Sequence, residues 1–80
     1  MTPTELLSRE ILRLARVTQR SAFINPGRLS AFYHVPEMCV RQELAKLARE
    51  NHIRLAGWRN SEEFIAQAPE GTLVRVDLLD

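Results

Sequence analysis

The stretch RLSAFYHVPEMCVRQELAKLARENHI, residues 28–53, decides the fold because it contains two predicted helices separated by a proline. Asn25 and Pro26 come just before it. Asparagine is a good helix cap and proline suits the first helical turn, so the first helix starts here. It is short and ends at about Tyr33. Leu29 and Phe32 are its predicted core contacts.

Pro36 separates the two helices, because proline disfavours a helical conformation in the residue before it. The second helix is predicted over about residues 36–50, and Asn51 is a plausible stop. His34 occupies the corner, where a left-handed backbone tolerates histidine better than a branched residue. Two helices joined by so tight a corner match a helix-turn-helix. The buried stripe of the second helix is predicted to contain Val40, Leu44, Leu47 and Ala48.

A longer helix is predicted ahead of this pair, over residues 2–20. Thr2 and Glu5 have capping-box spacing, and Pro3 suits the first helical position. One stripe at helical spacing is expected to be buried, and it consists of Leu7, Ile11, Leu14 and Thr18, with Leu6 and Ala15 alongside. Another face carries Arg9, Arg13, Arg16 and Arg20. Residues 21–24 are predicted as a short extended segment.

Two alternating segments follow the pair, residues 52–56 and 72–78, and both are predicted strands. Their inward side chains are expected to be Ile53, Leu55, Val74, Val76 and Leu78. The insert between them, residues 57–71, has a capping-box-like start at Asn60 and Glu63 and one or two helical turns carrying Phe64, Ile65 and Ala68. The pattern does not decide whether Phe64 and Ile65 pack on the core or form a dimer patch. The order of these helices and strands predicts an α+β fold in which an antiparallel hairpin packs on three helices. The predicted fold is a single domain over residues 1–80.

Composition excludes several classes of protein. The chain has 80 residues, 45% of them hydrophobic, a formal net charge of +1 and one cysteine. That is too apolar for a disordered chain, and a single cysteine cannot form an internal disulfide. No apolar run is long enough to span a membrane and no signal peptide is evident, so we expect a cytoplasmic protein without a membrane partner.

The small net charge hides an uneven distribution. Residues 1–59 contain ten basic and five acidic residues, a net charge of +5, whereas residues 60–80 have a net charge of −4. A basic body of this kind indicates a surface for an anionic partner. The alternative is that the arginines lie on ordinary solvated helix faces.

The stretch resembles the winged helix-turn-helix transcription regulators, most closely those of the gluconate-repressor (GntR) type. The residues in register with that pattern are Leu29-Ser30, His34-Val35, Val40-Arg41, Leu44, Leu47 and Asn51-His52-Ile53, and the segment Gly71-Thr72-Leu73-Val74 is similar to the returning wing strand. The similarity covers about residues 25–76. It implies a winged-helix fold and sequence-specific binding of double-stranded DNA, with residues 36–50 as the recognition helix.

If that helix enters a major groove, its exposed face reads the bases. With Val40, Leu44 and Leu47 buried, this face is expected to consist of Met38, Arg41, Gln42, Ala45 and Arg49, with Lys46 flanking. Arg28, Arg41 and Lys46 are candidates for phosphate contacts, and Arg59 at the root of the insert is another. Arg41 is the strongest single candidate, since it fits both the geometry and the family pattern.

The expected function is that of a small transcriptional regulator, which we expect to be a homodimer. The alternative is a winged-helix protein-interaction module without direct DNA binding, favoured by Glu37 near the start of the recognition helix and by the acidic insert. RNA binding is a weaker alternative, because the chain lacks an evident aromatic platform for base stacking.

No catalytic function is expected, because the chain has no phosphate-binding glycine loop, no nucleophile elbow and no carboxylate pair with metal-like spacing. Cys39, His34 and His52 lack the spacing of metal ligands, so neither a metal nor a cofactor is expected. No small-molecule ligand is evident. Trp58 is expected to cap the core, with an interface anchor as the alternative.

Overall fold

The computed structural model describes residues 3–79 and contains both helices of the quoted stretch. The elements in chain order are α1 (Pro3–Val17), β1 (Ser21–Ile24), α2 (Pro26–Tyr33), α3 (Glu37–Arg49), β2 (Ile53–Ala56), α4 (Ser61–Gln67) and β3 (Val74–Leu78). The chain therefore forms a small α+β domain with four helices and a three-stranded sheet within the described residues. The expected capping role of Thr2 lies outside those residues.

The corner between α2 and α3 has the backbone that the sequence predicts. Asn25 caps α2, because its Oδ1 accepts hydrogen bonds from the N–H groups of Gly27 and Arg28 at 3.0 and 3.3 Å. His34 ends α2 in the left-handed conformation, with φ 57° and ψ 44°, and its N–H bonds to the carbonyl of Ser30. The predicted left-handed position of His34 is therefore confirmed. The corner fixes where α3 starts.

The sheet contains one more strand than the predicted hairpin. Its order is β1-β3-β2, and both pairings are antiparallel. Ile24 lies opposite Val74, and Ala56 lies opposite Arg75. The predicted extended segment is thus an edge strand that pairs with the distant end of the chain.

The core forms between the inner sheet face and the helices. The predicted stripe of α3 is confirmed: Val40, Leu44 and Leu47 are buried, and Ala48 packs half-buried against them. The five predicted inward strand residues are all buried as well. Hydrophobic periodicity was a sufficient guide here, because each of these elements buries one continuous face.

Some predicted core positions in α1 are wrong. Leu7, Ile11 and Ala15 are fully buried, but Leu6 lies beyond the edge of their stripe and is exposed. Thr18 is also exposed, since α1 ends at Val17 and the Thr18 hydroxyl bonds back to the carbonyl of Leu14. The predicted end of the helix at residue 20 is therefore wrong.

Phe32 is a further error among the predicted core contacts. Its side chain is 75% exposed, because the buried side of the short helix α2 is formed by Leu29 and Tyr33. The Phe32 ring instead packs edge-on against Tyr33, with 5.0 Å between ring centres.

The insert between β2 and β3 packs on the core, which resolves the alternative that the sequence left open for Phe64. Helix α4 starts at the predicted cap, where Asn60 Oδ1 accepts from the N–H of Glu63 at 2.8 Å. Phe64 is fully buried. The half-buried Trp58 packs edge-on against it at 5.7 Å between ring centres, so its predicted role as a core cap is confirmed.

Candidate nucleic-acid interface

One face of α3 remains in solvent, and it carries four of the predicted site residues. They are Met38, Gln42, Lys46 and Arg49. Their spacing of four, four and three places them on one stripe along the helix axis. No residue between positions 3 and 79 forms a hydrogen bond or an ion pair with the side chain of Lys46 or Arg49. We call these four residues the α3 stripe.

Arg41 does not lie on the α3 stripe, so its predicted exposure is wrong. Only 7% of its surface is exposed. Its Nη2 donates hydrogen bonds to the carbonyl of Ala68 and, at 2.7 Å, to that of Pro69. Its guanidinium also faces the Phe64 ring. Arg41 therefore fastens the end of α4 to α3, and in this arrangement it cannot reach a base or a phosphate.

Ala45 is also buried, with 1% of its surface exposed, so its predicted place on the readout face is wrong. Helix α4 packs on α3, and its residue Ile65 lines the same surface cavity as Ala45. Ile65 of α4 is half-buried against the core next to Ala45. The face of α3 that is open to a partner is consequently narrower than the sequence predicts.

The other two predicted basic residues are exposed but lie on different elements. Arg28 lies in the first turn of α2. That turn lies beside the start of α3, since an added Cβ on Gly27 would come within 3.2 Å of Glu37 Oε1. Arg59 lies at the root of the insert, with 88% of its side chain exposed and its Nε 4.0 Å from Glu63 Oε2. Arg28 thus adjoins the start of α3, whereas Arg59 does not belong to the α3 stripe.

Helix α1 brings a further basic residue next to the α3 stripe. A shallow surface cavity of about 460 Å³ between α1 and α3 is lined by both Arg9 and Lys46. The contact between the helices includes a hydrogen bond from the Ser8 hydroxyl to the carboxylate of Glu43, which is buried in α3. The sequence gives no signal that Glu43 is buried, because a glutamate among other helical charges has the same pattern when it is exposed.

The remaining arginines of the basic face of α1 are not equivalent. Arg13 forms two hydrogen bonds with Glu10, at 2.7 and 2.8 Å. The Arg13 guanidinium lowers the pKa of the Glu10 carboxyl. Because Glu10 offsets the charge of Arg13, the cations of α1 that remain available to an anionic partner are Arg9 and Arg16.

The acidic insert lies beside the basic helix rather than away from it. Glu37 accepts a hydrogen bond from the N–H of Gly71 at 3.2 Å, so its carboxylate is directed to the turn after α4. Glu62 and Glu70 are exposed on the insert itself. The α3 stripe is therefore basic, and the insert along one side of it is acidic.

Comparison with family models, with curated proteins and with solved structures finds no match to this chain. Among residues 3–79, no helix has the length and apolar character needed to cross a membrane. In the same part of the chain, no three histidine, cysteine, aspartate or glutamate side chains come together in a way that could hold a metal ion. The features of the described residues that indicate a function are therefore the surface of the domain and its charges.

Proposed function

We propose that this chain is a winged helix-turn-helix protein, similar to the gluconate-repressor type, that binds double-stranded DNA and regulates transcription in the cytoplasm. The observation that carries the proposal is the α3 stripe. It lies on the second helix of a tight helical corner, it is exposed, and its two cations have no partner within residues 3–79.

The order of the elements supports the winged-helix assignment. Helix α1 and strand β1 precede the helical corner, and the hairpin of β2 and β3 follows it. The last strand lies between the other two. The connection between β2 and β3 occupies the place of the wing, and here it is folded into α4. This arrangement leaves α3 free on one face and supported by the core on the other.

The chemistry of the α3 stripe fits a major groove. Gln42 can form paired hydrogen bonds with adenine, and Arg49 with guanine, while Met38 can contact a thymine methyl group. Lys46, Arg28 and Arg9 are placed to contact phosphates on either side, which positions the helix without reading sequence. Arg41 and Ala45 are not part of this interface, because both are buried.

The proposed contact is made by helices and not by a wing. A basic wing tip would add a minor-groove contact, but the insert exposes Glu62 and Glu70 instead. One small module then makes few DNA contacts, so we propose that two copies bind together as a homodimer. In such a dimer the two α3 helices would lie about 34 Å apart, one turn of DNA.

A salt titration tests the proposal. Binding of a fluorescently labelled duplex of mixed sequence is measured by anisotropy as the salt concentration is raised. Release of counterions from the phosphates predicts a straight line of negative slope in a plot of log affinity against log salt, with about 0.9 per phosphate contacted. A protein that does not bind duplex DNA at low salt, or whose affinity is indifferent to salt, would contradict the proposal.

The protein-interaction alternative has one observation of its own, the acidic insert packed along α3. In this alternative the basic and acidic faces would together contact a protein partner. It predicts that no salt-dependent DNA binding occurs, so the same titration distinguishes the two functions.

A further inference from the structure

A second surface feature lies at the end of α3, apart from the centre of the α3 stripe. It is a cleft of about 340 Å³ between the last turns of α3, strand β2 and the start of the insert. This volume is at the lower end of the range for small-molecule sites, so it fits a ligand of one or two rings and not a dinucleotide.

The floor of the cleft is apolar. Ala48, Leu55, Trp58 and Leu79 line it. The Trp58 indole is held edge-on against the buried Phe64 ring, so one flat aromatic surface is already fixed before any ligand arrives. A floor of this kind favours a ligand with a flat apolar body, because covering the floor removes apolar surface from water.

The walls of the cleft are cationic. Arg49 of α3, Arg54 of β2 and Arg59 of the loop before α4 line it, and Glu62 is the one acidic lining residue among residues 3–79. Guanidinium groups bind carboxylates through paired, charge-assisted hydrogen bonds. Three exposed guanidinium groups and one carboxylate give the described walls a net positive charge, which attracts an anionic group to the edge of the apolar floor.

We propose that this cleft binds a small aromatic carboxylate. The ring lies on the apolar floor beside Trp58, and the carboxylate is bound by Arg49 and Arg59, with Arg54 adding positive charge. Arg49 also belongs to the α3 stripe, so the ligand would occupy a cation that the proposed DNA contact uses. That consequence rests on the proposed function, whereas binding of the ligand does not.

Trp58 provides the measurement, because it is the only tryptophan in the chain. Its fluorescence is titrated in the absence of DNA with 3-phenylpropionate, with the neutral 3-phenylpropanamide and with propionate, which lacks the ring. We expect a saturable change with 3-phenylpropionate. We expect binding about tenfold weaker for the amide, since the guanidinium groups then lose their charged partner.

Matched variants test the assigned residues. Arg49→Gln and Arg59→Gln should each weaken binding of 3-phenylpropionate about threefold, as expected for exposed ion pairs. Arg16→Gln, an exposed arginine on α1 away from the cleft, should leave it unchanged. Any of three results would overturn the proposal. They are equal affinity for the acid and the amide, no saturation at millimolar concentrations, and equal effects of all three variants. None of these outcomes bears on DNA binding, so the proposed function is tested separately.

Discussion

The guanidinium carbon of Arg41 lies 5.8 Å from the centre of the Phe64 ring. This contact joins the second helix of the corner to the insert between the strands. The same guanidinium donates hydrogen bonds to the carbonyls of Ala68 and Pro69 at the end of α4. Arg41 therefore contacts the insert both through an aromatic ring and through hydrogen bonds. Its role in this structure is to hold α4 in place.

Arg41→Ala should therefore destabilise the fold. Loss of charged hydrogen bonds from a buried group is expected to cost about 2–3 kcal/mol of the free energy of unfolding. In a domain of this size, each kcal/mol corresponds to a fall in Tm of roughly 4–8 °C. Thermal unfolding followed by circular dichroism measures this. Arg49→Ala, which removes an exposed arginine from the same helix, is the control and should leave Tm nearly unchanged. Equal Tm values for the two variants would show that Arg41 does not hold the insert.

Lys46→Ala and Arg49→Ala should each weaken DNA binding. Each removes a candidate phosphate or base contact from the α3 stripe, and a lost phosphate contact reduces the salt slope by about one. The control is Arg75→Gln, because Arg75 lies on the outer face of the sheet, away from α3. Anisotropy titrations at several salt concentrations give both the affinity and the slope. Unchanged slopes in both variants would remove α3 from the interface.

His34→Val should destabilise the corner, whereas His34→Gly should not. His34 has φ 57°, and a left-handed conformation costs a residue with a branched Cβ about 1–2 kcal/mol or more, while glycine adopts it freely. Urea denaturation of the two variants compares their free energies of unfolding. A valine variant as stable as the glycine variant would contradict the prediction, because the backbone of the corner could then adopt another conformation.

Because of Asp77, the free energy of unfolding should decrease as the pH falls into the acid range. The Ser21 hydroxyl and then Arg75 hold the pKa of the Asp77 carboxyl below its ordinary value of 3.8. Because the folded pKa is the lower one, this stabilisation is fully present above pH 3.8 and is lost as the pH falls through the folded pKa. NMR titration of the carboxyl measures the pKa directly.

Ser21→Ala removes the largest cause and should raise the pKa of Asp77 towards its ordinary value, and the free energy of unfolding should then fall less steeply with acid. An Asp77 pKa of 3.8 in both proteins would contradict the assigned hydrogen bond.

Local signals in the sequence were sufficient to predict where the helices and the two hairpin strands lie. Asn25 marks a helix start through its capping side chain, and Pro26 and Pro36 do so through their restricted backbone. Val40, Leu44 and Leu47 mark a buried face through their spacing. The place of β1 in the sheet could not be predicted in this way, because its partner Val74 lies fifty positions further along the chain than Ile24.

The candidate site was predicted only in part. The reason is again a contact between residues that are far apart in the sequence. Periodicity places Arg41 at the edge of the buried stripe, where an arginine normally extends into solvent. Whether it does so depends on where α4 packs, and the sequence of α3 contains no information about that. Met38, Gln42, Lys46 and Arg49 lie further round the helix, and their predicted exposure is confirmed.

The position of the insert also determines how far the electric field of the domain extends. Arg49 of α3 and Glu62 of α4 line the same cleft, so their potentials largely cancel at distances much greater than their separation. A polyanion would be attracted only when it is already close to α3 and correctly oriented. Such a domain would encounter DNA more slowly than a uniformly basic one, and it would lose less of its binding time to chance contacts with the phosphate backbone.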